Sequence, residues 1–277
     1  MGLRINTNVT SIAAQRTLGQ TNRSQSESLG RLSSGSRINK AADDAAGLAI
    51  SEKMKAGIRG SRQAERNAND GISMIQTAEG GLNEVSNILT RLRELSVQSA
   101  SDTVGDTERS FSNMEYQNLK QEIERISQVT EFNGKKLLDG SGETYDLQIG
   151  IHNDEFQDRI QYAANETNSS LASLGVDSLS VENKEGAQGS LNTLDNAIEQ
   201  ISGFRAKLGA TQNRLNSTIT NLQVSTENLE TANSRIRDTD FAAEAANNAK
   251  MSILANAGTS VLSQANAQGS AALKLIG

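Results

Sequence analysis

Leucine and isoleucine recur at every seventh position through Leu194, Ile201, Leu208, Leu215, Leu222, Leu229 and Ile236. Three residues before each stand Leu191, Ile198, Arg205, Gln212, Ile219, Thr226 and Asn233. An unbroken d row beside a mixed a row is a heptad seam, and the spacing predicts one long helix with a coiled-coil face. At the rise of an α-helix, residues 191–236 span about 69 Å. The polar a positions weaken the seam but restrict the partner and register it accepts. Gly203 and Gly209 lie within it. Each costs about 1 kcal/mol relative to Ala, so they point to close helix approach or to a bend.

Leu82, Val85, Leu89 and Leu92 repeat a 3–4 spacing, widened by Ile88 and Leu95. A stripe that wide suits a bundle, and it runs back through Ile75 and Ile72 to about Asp43. Tyr116, Leu119, Ile123 and Ile126 mark a third, shorter helix, set off by the turn-forming run Ser101-Asp102-Thr103-Val104-Gly105-Asp106. After Thr130 the period changes. Asn133-Gly134 and Asp139-Gly140 signal turns. Tyr145, Leu147, Ile149 and Ile151 then alternate with polar residues and Gly150, which predicts a strand. Residues 132–187 therefore read as a small β-rich excursion from a helical protein.

The two ends are different again. Residues 1–40 scatter Ile5, Val9, Ile12, Leu18, Leu29 and Leu32 among Ser, Asn, Gln and Thr. Residues 241–277 set Met251, Leu254, Gly258, Val261, Ala265, Gln268, Ala272 and Leu275 at 3–4 spacing among Ala, Ser and Asn. A seam of small side chains buries little area per turn and does not offset the ordering entropy of a lone helix. Both ends are expected to be poorly ordered in a free monomer and helical against a partner.

Composition narrows the chemistry. Among 277 residues there are no Cys and one His, which removes thiolate catalysis, disulfides and Cys- or multi-His metal centres. There is no Pro, where average usage gives roughly a dozen. Nothing of that kind interrupts a long helix. The net charge of −6 is a poor match for nucleic acid or an anionic membrane. No run of 18 apolar residues is present, so no membrane-spanning helix is expected. The opening residues lack the apolar core of a general secretory signal, and Asn6 does not suit a myristoylation motif. A cytoplasmic protein and a client of a signal-free export route both remain open. His152 reads as a surface or turn residue. Asp43-Asp44 and Asp154-Glu155 with Asp158 lack EF-hand spacing and read as solvated or capping carboxylates. No nucleophile-elbow, dinucleotide or metal motif is present, so no enzyme, cofactor or metal is expected.

The string Arg31-Leu32-Ser33-Ser34-Gly35-Ser36-Arg37-Ile38-Asn39, continuing through Lys40-Ala41-Ala42-Asp43-Asp44 to Ile50, reads as a polar loop entering a helix. Asn39 or Asp43 is the candidate N-cap. This string resembles the N-terminal signature of bacterial flagellins. Leu89 to Gln98 resembles that family's second block, Thr130 to Leu138 its entry into the β region, and Asn233 to Glu244 its C-terminal block. The likeness covers nearly the whole chain in order. It lacks the large variable insertion that many flagellins carry before the C-terminal helices. A hook–filament junction protein would share the terminal helices, but the Arg31–Ile50 and Leu89–Gln98 blocks favour a filament subunit.

The resemblance implies a mainly α protein, a coiled-coil and helical-bundle rod with a small β-hairpin region and paired terminal helices. It implies an inner-tube segment at 1–43 paired with 237–277, rod helices at 44–131, the β excursion at 132–187 and a rod helix at 188–236. It implies a secreted subunit, exported unfolded by the flagellar type III apparatus, that polymerises with itself into a helical tube for swimming. Whether that filament is naked, sheathed or periplasmic stays open. Implied partners are an export chaperone, the filament cap and hook-associated junction proteins. The family is also recognised by Toll-like receptor 5, and the positions matching that surface are Arg91, Leu95 and Glu115. Met251, Leu254, Val261 and Leu275 would carry the terminal assembly helix. Flagellins often carry O-linked sugars, for which residues 165–190 are the expected region.

Overall fold

The computed structural model describes residues 7–141 and 143–273, with side chains as far as residue 267. Its helices are α1 (Val9–Ser34), α2 (Ala45–Ser99), α3 (Asp106–Val129), the single turn α4 (Leu171–Leu174), α5 (Lys184–Arg237) and α6 (Phe241–Leu273). Two antiparallel hairpins join them: β1 (Glu131–Phe132) with β2 (Lys135–Lys136), and β3 (Thr144–Gln148) with β4 (Arg159–Ala163). The fold is mainly helical, with α2 paired to α5 and α1 to α6. Two compact units divide the chain, one of residues 57–227 and one that combines residues up to 56 with those from 228 onward.

In residues 57–227 the heptad seam faces inward. Leu194, Ile201, Leu208 and Leu215 are buried in one apolar cluster with Leu82, Val85, Leu89 and Leu92 of α2 and Tyr116 and Ile123 of α3. The mixed a row from Leu191 to Asn233 is half-buried throughout, as are Leu222, Leu229 and Ile236. A Cβ added at Gly203 or Gly209 would meet nothing within 4 Å, so neither glycine marks a close approach. Close approach occurs on α2 instead. A Cβ at Gly71 would stand 2.6 Å from Leu147, and one at Gly81 2.7 Å from Leu138, so these glycines let the β region lie directly on the helix.

The third helix starts ten residues before Tyr116, with Asp106 and Glu108 in its first turn; Phe111 and Met114 there are exposed, so the buried apolar stripe begins only at Tyr116. Arg109, buried, joins the turn before it to the end of α2. It donates to the Ser99 carbonyl at 3.0 Å and the Ser101 carbonyl at 2.9 Å, satisfying orphan acceptors of a helix C-terminus. The β excursion is shorter in strand than the alternation predicts. Tyr145 and Leu147 lie in β3, whereas Ile149 and Ile151 fall in the next loop. There the N–H groups of Ile149 and Gly150 both turn to the Asp158 carbonyl and leave the ladder. Asn133 (φ 50°) and Gly134 (φ 75°) form the turn between β1 and β2, with both central residues left-handed as a tight hairpin requires.

In the other unit, α1 and α6 run antiparallel. Asn8 caps α1 by accepting from the Ser11 N–H and donates across to the Ala265 carbonyl at 2.8 Å. Asp240 caps α6, accepting from the N–H groups of Ala242 and Ala243. The N-terminal caps of α2 differ from expectation. Asp44 makes the cap, accepting from Gly47 N–H at 2.8 Å, while the Asp43 carboxylate folds back onto the N–H groups of Asn39 and Lys40. A short backbone ladder links the segments leading into these helices: Arg37 N–H donates to the Arg237 carbonyl and Thr239 N–H to the Gly35 carbonyl.

Candidate functional site

The residues that enzymes use are engaged in local structure. Backbone N–H groups of Lys40 and then Asn39 hold the Asp43 carboxyl below its ordinary range. The Asp154 carboxylate accepts from Phe156 and Gln157 N–H, and the Asp158 carboxylate from Asp154 N–H. His152 lies exposed in the same loop. The surfaces with functional content are therefore faces of helices.

The first is the α1–α6 pair. Its closed side is made of short and polar groups. Ser11 is buried and donates to the Asn266 amide oxygen at 2.7 Å; Ser28 is buried and reaches the Glu244 carbonyl at 3.4 Å. A Cβ at Gly258 would stand 3.2 Å from Leu18, so the helices touch closely there. Buried oxygens of Glu244 and Asn248 have no hydrogen-bond partner among the described residues, which makes this seam costly to close. Leu18, Leu32, Met251 and Leu262 are half-buried, but other large apolar side chains stand in solvent. Val9, Ile12 and Leu29 on α1 and Phe241, Ile253, Leu254 and Val261 on α6 are all at least 45% exposed. Of the expected assembly residues, Met251 is half-buried while Leu254 and Val261 face solvent; Leu275 lies outside the described residues.

The second surface lies on α2 and α3. Arg91 donates to Glu115 at 2.9 Å and to Glu94 at 2.9 Å, and these bonds, Glu115 first, raise its already high pKa. All three charges are exposed. Leu95, one turn along, is 2% exposed and belongs to the core. Of the three positions matched to receptor recognition, Arg91 and Glu115 thus present side chains to solvent and Leu95 supports the helix beneath them.

A third feature went unread in the sequence. Asn113, Gln117, Lys120 and Glu124 stand on one face of α3 and bind the backbone of residues 171–181. Lys120 is buried and donates to the carbonyls of Asp177 and Leu179; burial holds its ammonium below the ordinary value. The spacing 113, 117, 120, 124 was the available signal, since a polar stripe at helical period on a packed helix must bond to something.

Comparison with known proteins identifies the family. The pattern of the bacterial flagellin N-terminal helical region matches residues 5–143, and that of the C-terminal helical region matches residues 191–276. A flagellin of Halalkalibacterium halodurans is 44% identical over 272 residues, covering 98% of this chain and 99% of that one. The flagellar filament 33 kDa core protein of Treponema phagedenis is 43% identical over 284 residues, covering 98% and 99%. The crystal structure of Bacillus cereus flagellin superposes with a TM-score of 0.51 at 31% identity, over 57% of this chain and 88% of that one. With both flagellin helical regions matched and relatives 43–44% identical over nearly the whole chain, the chain belongs to the bacterial flagellins, structural and non-enzymatic subunits of the flagellar filament.

Proposed function

We propose that the subunit is exported unfolded and adds head to tail to a growing helical tube, its terminal helices ordering as they meet neighbouring copies. Residues 1–43 and 237–277 form the inner tube in this reading. Residues 44–131, 132–187 and 188–236 form the layer around it. The observation that carries the reading is the outward apolar face of α1 and α6. A helix pair that buries Ser11, Ser28 and Ala265 while exposing Ile12, Ile253 and Val261 gains most of its burial only when other copies cover it. A head-to-tail contact repeats without closing, as a filament requires. An export chaperone would shield these faces before assembly, the filament cap would hold incoming subunits, and hook-associated junction proteins would supply the first template.

Deleting residues 1–30 or 250–277 is expected to leave a folded, soluble protein that does not polymerise, read by circular dichroism and electron microscopy. Filaments of normal length from either truncation would refute the coupling. Receptor recognition is a second activity of the Arg91–Glu115 surface, supported by the exposure of both charges and by arginine's frequency at binding hot spots. Arg91→Ala should weaken Toll-like receptor 5 binding; an unchanged affinity would count against it.

A further inference from the structure

The loop between β3 and β4 is fixed by two of its own aspartates. Asp154 accepts from the N–H groups of Phe156 and Gln157 at 2.9 Å each, and its own N–H reaches the buried Asp158 carboxylate at 3.0 Å. Gly150 fits against Asp158 so closely that a Cβ would fall 1.7 Å from the carboxylate oxygen. On this fixed loop Phe156 is 90% exposed. Rigid aromatic side chains held in water are the groups that anchor interfaces, because little conformational entropy is lost on binding.

Phe156 borders an open groove of about 380 Å³ against α5, floored by Ile149 and Ile160. Two arginines flank it. Arg159 reaches only the amide oxygens of Gln148 and Asn153, and the Arg214 guanidinium has no partner among the described residues. The groove thus sets one exposed aromatic ring and two arginines among the neutral polar side chains Gln157, Asn213, Ser217 and Thr218, with no carboxylate in its lining, in a chain of net charge −6.

The complementary surface is on α3. Phe111 (62% exposed) and Met114 (55% exposed) share its outer side with Glu108, which has no cationic partner among the described residues. Within residues 57–227 the two surfaces are far apart along α2. The groove's loops sit at Gly60 and Asn67, where Ile151 packs and Gln148 accepts a bond, while the start of α3 is tied to Ser99. Glu115, next to Met114, bonds Arg91, which lies about 36 Å of helix from Asn67, so the surfaces cannot meet within one chain. They can meet between successive copies, in a contact that repeats without closing. We propose that the groove receives the Phe111–Met114 side of α3 from a second copy, with Phe156 packed against it and Arg214 paired to its Glu108. This rests on the filament reading above and assigns one of its contacts.

Cysteine pairs test it cleanly, because the chain has no Cys of its own. Full-length chains carrying Phe156→Cys and Met114→Cys together should give a ladder of disulfide-linked oligomers when seeded filaments are mildly oxidised, and monomer bands when dilute monomers are. In parallel, Arg214→Glu should slow seeded elongation by about tenfold, Glu108→Arg likewise, and the double exchange should restore it. Both sites are exposed, and monomer circular dichroism is the check that each variant folds. Absence of the ladder, or a double exchange no better than either single change, overturns the assignment. Failure of the unaltered chain to elongate on seeds would instead overturn the filament reading itself.

Discussion

In residues 57–227 the buried side chains are Leu82, Leu89, Leu92, Leu194 and Ile201; between α1 and α6 the covered positions are Ser11, Ser28, Met251, Gly258 and Ala265, while Ile12, Ile253 and Val261 stand in solvent. Both regions are long helices with apolar residues at 3–4 spacing. They differ in which way the spacing faces. The first closes its apolar surface within one chain. The second leaves part of it in solvent, the division that the proposed assembly needs. Helical period alone therefore does not locate a core; what covers the stripe does.

The sharpest way to break this contrast is a matched pair of truncations. Leu92→Ala should cost about 2–5 kcal/mol of monomer stability, because a fully buried leucine leaves a cavity. Val261→Ser should leave the monomer within about 0.5 kcal/mol yet impair seeded growth. Equal losses in monomer denaturation would erase the distinction. Next in size is Gly71→Val, which drives a branched side chain into Leu147 and should cost about 1–3 kcal/mol, seen as a lower melting temperature. A melting temperature equal to that of the unaltered chain would mean that the β region does not press on α2.

A smaller effect comes from Lys120. Burial lowers its folded-state pKa, opposed by the nearby Asp177, so the unfolded chain holds its proton to higher pH than the folded chain does. The penalty is full below the folded value and fades as pH rises from there toward the ordinary lysine value. Urea midpoints should climb across that alkaline window, and Lys120→Met should remove this part of the climb; parallel curves would reject it. The smallest change is Arg93→Ala, which removes an exposed ion pair to Asp195 and should shift stability by no more than about 1 kcal/mol, less in high salt. A larger loss would show that surface charge, rather than the leucine core, holds α2 to α5.

The helical architecture was legible because Leu194 to Ile236 repeat without a miss and Leu82 to Leu95 form a wide stripe, patterns that a single chain can satisfy internally. The hairpin turn at Asn133-Gly134 was legible for the same local reason. The direction of the α6 stripe was not. Met251, Gly258 and Ala265 turn toward α1 while Leu254 and Val261, displaced by three or four residues, turn away, and no one-dimensional pattern fixes where that edge falls. Leu95 shows the converse: its helical neighbourhood with Arg91 places it near the proposed recognition surface, but its side chain is absorbed by the core. The groove beside Phe156 escaped notice because it joins residues more than fifty positions apart, Phe156 and Arg214, that only the fold brings together.

The missing prolines carry a kinetic consequence as well as a structural one. Helices α2 and α5 run 55 and 54 residues without a single imide bond, and the rest of the chain has none either. No isomerisation lasting tens of seconds stands between an extended polypeptide and its native form, so the pace of refolding is left to helix formation and docking.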